Sequence, residues 1–175
     1  IVCLPYNGTQ VMSVVQLRSK AWFGDDALML DFRSTWKGVE VGPQDSPVLT
    51  AAAMRAILSH PIGTPPLFEM ATGKNRAVII VDDLTRPSPA AALLPLLIEE
   101  LTRAGMPEQA ITVVLAGGTH PPASAEEMIK KVGSTLPSAI RITAHDSRGD
   151  LVDLGTSPGG LPLQLNRTVM ESDLK

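Results

Sequence analysis

Three short apolar runs, Ala77–Val81, Ile111–Leu115 and Ile140–Ala144, constrain the fold of this chain more than any other feature. The first two are continuous and rich in Val and Ile, as in strands buried on both faces of a sheet. Helix signals separate them. Ser88-Pro89 opens a helix that runs to about Ala104, with Leu94, Ile98 and Leu101 on one face and Gly105 as its stop. Pro95 should bend that helix or mark its true start. Ser124 with Glu127 forms a capping box for a second helix, to about Val132. Strands that begin at residues 77, 111 and 140 with helices between them predict a parallel sheet with right-handed crossovers. The fold class is therefore α/β: a Rossmann-like βαβαβ three-layer domain with a parallel sheet, preceded by a small β-rich amino-terminal segment.

That opening segment, 1–45, reads as strands and turns. Thr9–Leu17 and Ala27–Phe32 suit strands, and Asn7-Gly8 is a turn signal. Ser46-Pro47 suits the start of a helix over Val48–Leu58, ending near His60-Pro61, with His60 favoured at the helix carboxyl end by the dipole. Pro61–Pro66 reads as a rigid connector. The tail from Leu151 predicts a strand or two around the turn Ser157–Gly160. Residue 1 is not Met, and the last residues read as a lead into another element. The expected organisation is an amino-terminal α/β domain of a two-domain protein. It has a βαβαβ core at 46–150, and 151–175 start the crossover to a carboxyl-terminal domain.

Composition narrows the function classes. With 44% hydrophobic residues, 19% charged residues and a net charge of -3 over 175 residues, the chain has neither the signature of disorder nor a basic nucleic-acid footprint. Aromatics are 3%, too few for a base-stacking platform. The single cysteine, Cys3, excludes an internal disulfide and a cysteine-rich zinc site, and is compatible with a reducing compartment. No apolar run reaches membrane-spanning length. The expectation is a cytoplasmic protein with no nucleic-acid or membrane partner.

In a parallel α/β sheet, ligands bind at the loops that follow the strands' carboxyl ends. Here those loops are Asp82–Pro89, Ala116–Pro122 and His145-Asp146, and they hold two of the three histidines. The first feeds a helix amino terminus, where free N–H groups favour anions. Arg86 adds a forked donor for phosphate or carboxylate. Gly117-Gly118 permits close backbone approach, and His120 can exchange a proton near neutral pH. A small acid or a phosphorylated cofactor fits this set. Neither a P-loop nor a dinucleotide fingerprint is present. Each residue also has a structural reading: turn aspartates, an Arg86–Asp83 ion pair, exposed loop histidines at 120 and 145. A non-catalytic small-acid or nucleotide-binding α/β module stands as the alternative to an enzyme.

At these same residues the chain resembles the amino-terminal domain of the lactate racemase catalytic subunit family, the nickel-pincer enzymes. Leu4-Pro5-Tyr6-Asn7-Gly8 is similar to the family's opening LPYG, and His60–Leu67 to its NPIGSPPL connector. Asp83–Pro89 is similar to its DHTRPTP loop, and Gly118-Thr119-His120-Pro121 to its GTHRP loop. His145-Asp146 and the stretch from Asn166-Arg167 to Asp173 also find counterparts.

The resemblance implies a racemase or epimerase of small 2-hydroxy acids. It also implies a cofactor, a nickel-pincer nucleotide: nickel held by a modified pyridinium mononucleotide that takes the α-hydrogen as hydride and returns it to either face. On this reading His120 is an acid–base residue, with His145 the nearby substitute for a second catalytic histidine. Asp83, Thr85 and Arg86 would hold cofactor or substrate carboxylate, and Gly118 and Thr119 would line the pocket. The resemblance assigns no metal ligand within the chain and makes the chain's own carboxyl-terminal domain a partner, without which this part is inactive. Two positions depart from the family pattern. Arg167 stands where a lysine tethers the cofactor, and its guanidinium cannot supply that amine. Pro122 stands where an arginine is usual.

Overall fold

A computed structural model describes residues 14–18, 27–31 and 47–175. The chain divides into two units, Ile1–Val48 and Leu49–Lys175. In the first, β1 (Val14–Arg18) and β2 (Ala27–Asp31) form an antiparallel pair, with Val14 opposite Asp31 and Arg18 opposite Ala27. Cys3, Leu4–Gly8, Thr9–Ser13 and Phe32 lie outside the described residues.

The second unit carries the expected βαβαβ core. Strand β3 (Ala77–Asp82) pairs in parallel with β4 (Ile111–Ala116), and β4 with β5 (Arg141–Ala144). β4 is central, and its side chains at 111, 113, 114 and 115 are buried, which explains the apolar run there, broken only by the half-buried Thr112. Helix α3 (Ala90–Arg103) crosses from β3 to β4 and α4 (Ala125–Val132) from β4 to β5. Leu94, Ile98 and Leu101 of α3 and Val132 of α4 share one cluster with Ile111, Val113 and Leu115. Both helices therefore cover the same face of the sheet.

The helix boundaries follow from local chemistry. α3 runs unbroken through Pro95, so the proline does not mark its start. The ring removes the hydrogen bond to the Ala91 carbonyl, but both residues are exposed and water can serve that oxygen. Gly105, at φ +93, lets the chain turn out of α3, and its N–H donates to the Thr102 carbonyl at 3.0 Å. The capping box of α4 is present in full: Ser124 Oγ accepts from the Glu127 N–H, and the Ser124 N–H donates to Glu127 Oε2 at 2.8 Å.

Three expectations need correction. The first helix, α1 (Ala51–Ser59), starts later than Ser46-Pro47 implied. Thr50 is its cap, accepting from the Ala53 N–H at 3.2 Å, and Ser46 lies outside the described residues. The connector after His60 is followed by a short helix, α2 (Leu67–Ala71), which the proline pattern concealed. The third strand begins at Arg141, because the Ile140 N–H is taken by the Pro137 carbonyl in a turn. His60 does cap α1, its N–H reaching the Ala56 and Ile57 carbonyls. Beyond β5, β6 (Leu151–Thr156) and β7 (Pro162–Asn166) form an antiparallel hairpin around Ser157–Gly160, followed by α5 (Arg167–Met170). Among the described residues, no helix is long and apolar enough to cross a membrane.

Candidate active site

The sheet register builds the site. Asp82 lies opposite Ala116, and Leu115 opposite Ala144. The three strands thus end within one residue of one another, and the next residues, Asp83, Gly117 and His145, emerge at one edge. A cavity of ≈ 370 Å³ opens there, lined by Asp83, Thr85, Gly117, His120 and His145 among others.

Asp83 is the hub. Its Oδ1 accepts from the Thr85 hydroxyl at 2.5 Å and the Thr85 N–H at 3.0 Å. Its Oδ2 lies 2.6 Å from His120 Nδ1. The hydrogen bonds from Thr85 and then from His120 outweigh burial and hold the carboxyl at about 2, against its usual 3.8. A turn closed by His120 N–H donating to the Gly117 carbonyl at 3.0 Å, with Gly118 at φ +59, folds His120 back onto Asp83. The carboxylate can only accept, so His120 carries its proton on Nδ1 and leaves Nε2 as a proton acceptor.

This depression has a sign that can be measured. A carboxyl held low in the fold stabilises the protein above the unfolded value near 3.8, and that contribution is lost as pH falls through about 2. Urea unfolding over a pH series should therefore show Asp83→Asn flattening the acid limb of the stability profile. An unchanged acid limb would mean that Asp83 is not so held.

The loop is anchored from below by a residue that sequence reading passed over. Lys131 of α4 has a side chain only 2% exposed. Its Nζ lies 2.9 Å from Asp82 Oδ1, donates to the Arg86 carbonyl at 2.9 Å and reaches Ser88 Oγ at 3.1 Å. Asp82 also accepts from the Ser88 hydroxyl. Burial raises its carboxyl, but the bonds from Ser88 and Lys131 prevail and lower it. The available signal was the position of Lys131 beside Met128 and Val132 on the inward face of α4, where a charge needs a partner.

The site does not gather every candidate. Asp83, Thr85, His120 and His145 line the cavity. Arg86, Gly118 and Thr119 are exposed and do not line it. Expected to face one cleft with His120, Arg86 instead sits in a turn whose N–H donates to the Asp83 carbonyl, and the guanidinium makes no ion pair among the described residues. The Arg86–Asp83 ion pair is therefore also absent: His120 takes that carboxylate. His145 is held by Asn166, whose Nδ2 is 3.3 Å from its Nδ1. Arg167 is engaged elsewhere, Nε donating to Asp150 Oδ1 at 2.7 Å, and that bond raises its pKa further. No group of three or more His, Cys, Asp or Glu suited to a metal occurs among the described residues.

Known proteins share this frame. The family described as the lactate racemase N-terminal domain matches residues 23–175. A lactate racemase from Thermoanaerobacterium thermosaccharolyticum is 35% identical over 123 residues, covering 69% of this chain and 29% of that protein. A lactate racemase from Lactiplantibacillus plantarum is 36% identical over 119 residues, covering 67% and 28%. The chain thus spans under a third of these relatives' lengths. The structure of the Thermoanaerobacterium lactate racemase apoprotein superposes with a TM-score of 0.67 at 30% identity, covering 92% of this chain and 37% of that one. A Thermotoga maritima crystal structure shares the fold at 23% identity and a TM-score of 0.58, covering 70% and 31%. With the family match extending over most of the sequence, the chain belongs to the lactate racemase N-terminal domain family.

Proposed function

We propose that this chain is the amino-terminal α/β part of a lactate racemase-like enzyme acting on small 2-hydroxy acids, with a carboxyl-terminal domain completing the cleft. The Asp83–His120 pair at 2.6 Å, at a cavity shared with His145, is the observation that carries the reading. Asp83 orients the imidazole with its proton on Nδ1, so Nε2 can accept the proton of a substrate hydroxyl. His145 is the second imidazole that meets the substrate at this cavity, and Thr85 keeps Asp83 in place. The exposed Arg86 guanidinium is available to a carboxylate or phosphate brought by the rest of the enzyme.

Inverting the α-carbon also needs an acceptor for its hydrogen. The family resemblance supplies one, a nickel-pincer nucleotide that takes hydride. The described residues do not fit that group as a tethered cofactor. Arg167, which the resemblance places at the tether position, is tied to Asp150 and offers no amine. The chemistry derived from this chain's own residues is therefore proton transfer and orientation.

The same engagement of Arg167 favours a second reading, a module that binds small acids without reaction. α-Deuterated L-lactate separates the two. The racemase reading expects D-lactate from the full-length enzyme, while the 175-residue chain alone gives no turnover. Lactate binding without appearance of the other enantiomer would establish the binding module instead.

A further inference from the structure

We infer that Asn166 is a positioning residue that fixes His145 with its proton on Nε2, so that the cavity presents one imidazole acceptor, His120, and one imidazole donor, His145. The inference rests on the proposed function for its ligand but on geometry alone for its tautomers. Asn166 caps α5: its Oδ1 accepts from the Val169 N–H at 3.2 Å. That bond settles which end of the amide is oxygen. The other end, Nδ2, then faces His145 Nδ1 at 3.3 Å. An amide NH2 only donates, so His145 Nδ1 must accept, and the ring proton of the neutral imidazole sits on Nε2. His120 is the mirror case, because the Asp83 carboxylate only accepts and places that proton on Nδ1.

Two chemically identical side chains at one cavity thereby acquire opposite roles. The backbone holds both in place: the His120 N–H is bonded to the Gly117 carbonyl and the His145 N–H to the Leu115 carbonyl at 2.8 Å. In each ring Nδ1 is taken by the protein, which leaves Nε2 for a ligand. A 2-hydroxy acid matches the pair. Its hydroxyl donates to His120 Nε2, and its neighbouring carboxylate accepts from His145 Nε2–H. A 2-oxo acid has no hydroxyl proton to give and loses the first contact. The polarity set by Asn166 therefore selects the hydroxy acid and orients it with the reacting hydroxyl toward the base.

Nitrogen-15 NMR of the neutral imidazoles tests this directly in the 175-residue chain, whose three histidines are few enough to assign. The expected spectrum has His145 protonated on Nε2 and His120 on Nδ1. His60 serves as an internal control, since its Nδ1 faces the Ala56 carbonyl at 3.2 Å and should carry the proton there. Asn166→Asp keeps an oxygen for the α5 cap, so stability should stay near native. It replaces the amide donor by an acceptor, and His145 should switch to the Nδ1–H tautomer while His120 is unchanged. A native His145 protonated on Nδ1 overturns the inference, whatever the variant does, as does an Asn166→Asp variant that folds with the His145 tautomer unaltered. Because these readouts need neither ligand nor turnover, they are separable from the lactate experiment. Correct tautomers without racemisation would sink the racemase reading alone.

Discussion

Replacing His120 by alanine is expected to cut turnover of the full-length enzyme by about a hundredfold or more, with a much smaller change in KM. The reason lies in the hydrogen-bond chain Thr85–Asp83–His120, which spends both carboxylate oxygens to hold one ring nitrogen at 2.6 Å. Such a base helps mainly in the transition state, as the hydroxyl proton moves, so its loss falls on kcat. Asp83→Asn should lower kcat as well, because an amide can offer its NH2 to Nδ1 and leave the wrong tautomer. The two residues act as a unit, so the double variant should be little worse than His120→Ala alone. Two single effects that multiply in the double variant would show that Asp83 and His120 work separately. A His120→Ala enzyme within twofold of native would remove His120 from the chemistry altogether.

The elements that carry the site were legible because they are local. Val and Ile runs mark β3 and β4, Ser124 and Glu127 mark the start of α4, and Gly105 marks the end of α3. The loops after parallel strands follow from topology. What pairs with what inside those loops depends on geometry that residue types do not encode. Asp83 has two neighbours able to claim it, Arg86 three residues on and His120 far along the chain. A tight turn from Asp83 to Arg86 leaves the arginine side chain on the exposed side, while the level ends of β3 and β4 bring His120 to the carboxylate. Asn166 stood out in the sequence only through its resemblance to a family motif. Its partner, His145, is reached only when the β6–β7 hairpin folds back, and no local pattern announces that return.

Lys131→Met is expected to destabilise the domain by about 3 kcal/mol, at the lower end of what breaking a buried ion pair costs. Methionine matches the stem of lysine and keeps the packing against the core, so the loss reports the ammonium and not a cavity. Four acceptors then lose the ammonium: Asp82 Oδ1, the Arg86 carbonyl, and the Oγ and carbonyl of Ser88. The lower end applies because the Asp82 side chain is 34% exposed, so water can meet part of its need once the lysine is gone. The Arg86 carbonyl and the backbone through Ser88 are harder to compensate, since Lys131 is what holds this loop against α4. The loss should therefore have a local signature. Amide exchange should accelerate across Asp82–Pro89 more than across β4, and the Asp83–His120 contact should weaken with it, lowering kcat in the full enzyme without touching either residue. Acid should shrink the difference between native and variant, because Asp82 is held low in the fold and its pairing disappears as pH falls through that lowered value. Urea unfolding at neutral pH and near pH 3 measures both effects. A variant within 0.5 kcal/mol of native at neutral pH, a surface-like result, would mean that the buried ammonium contributes nothing and that the loop is held by its own turns.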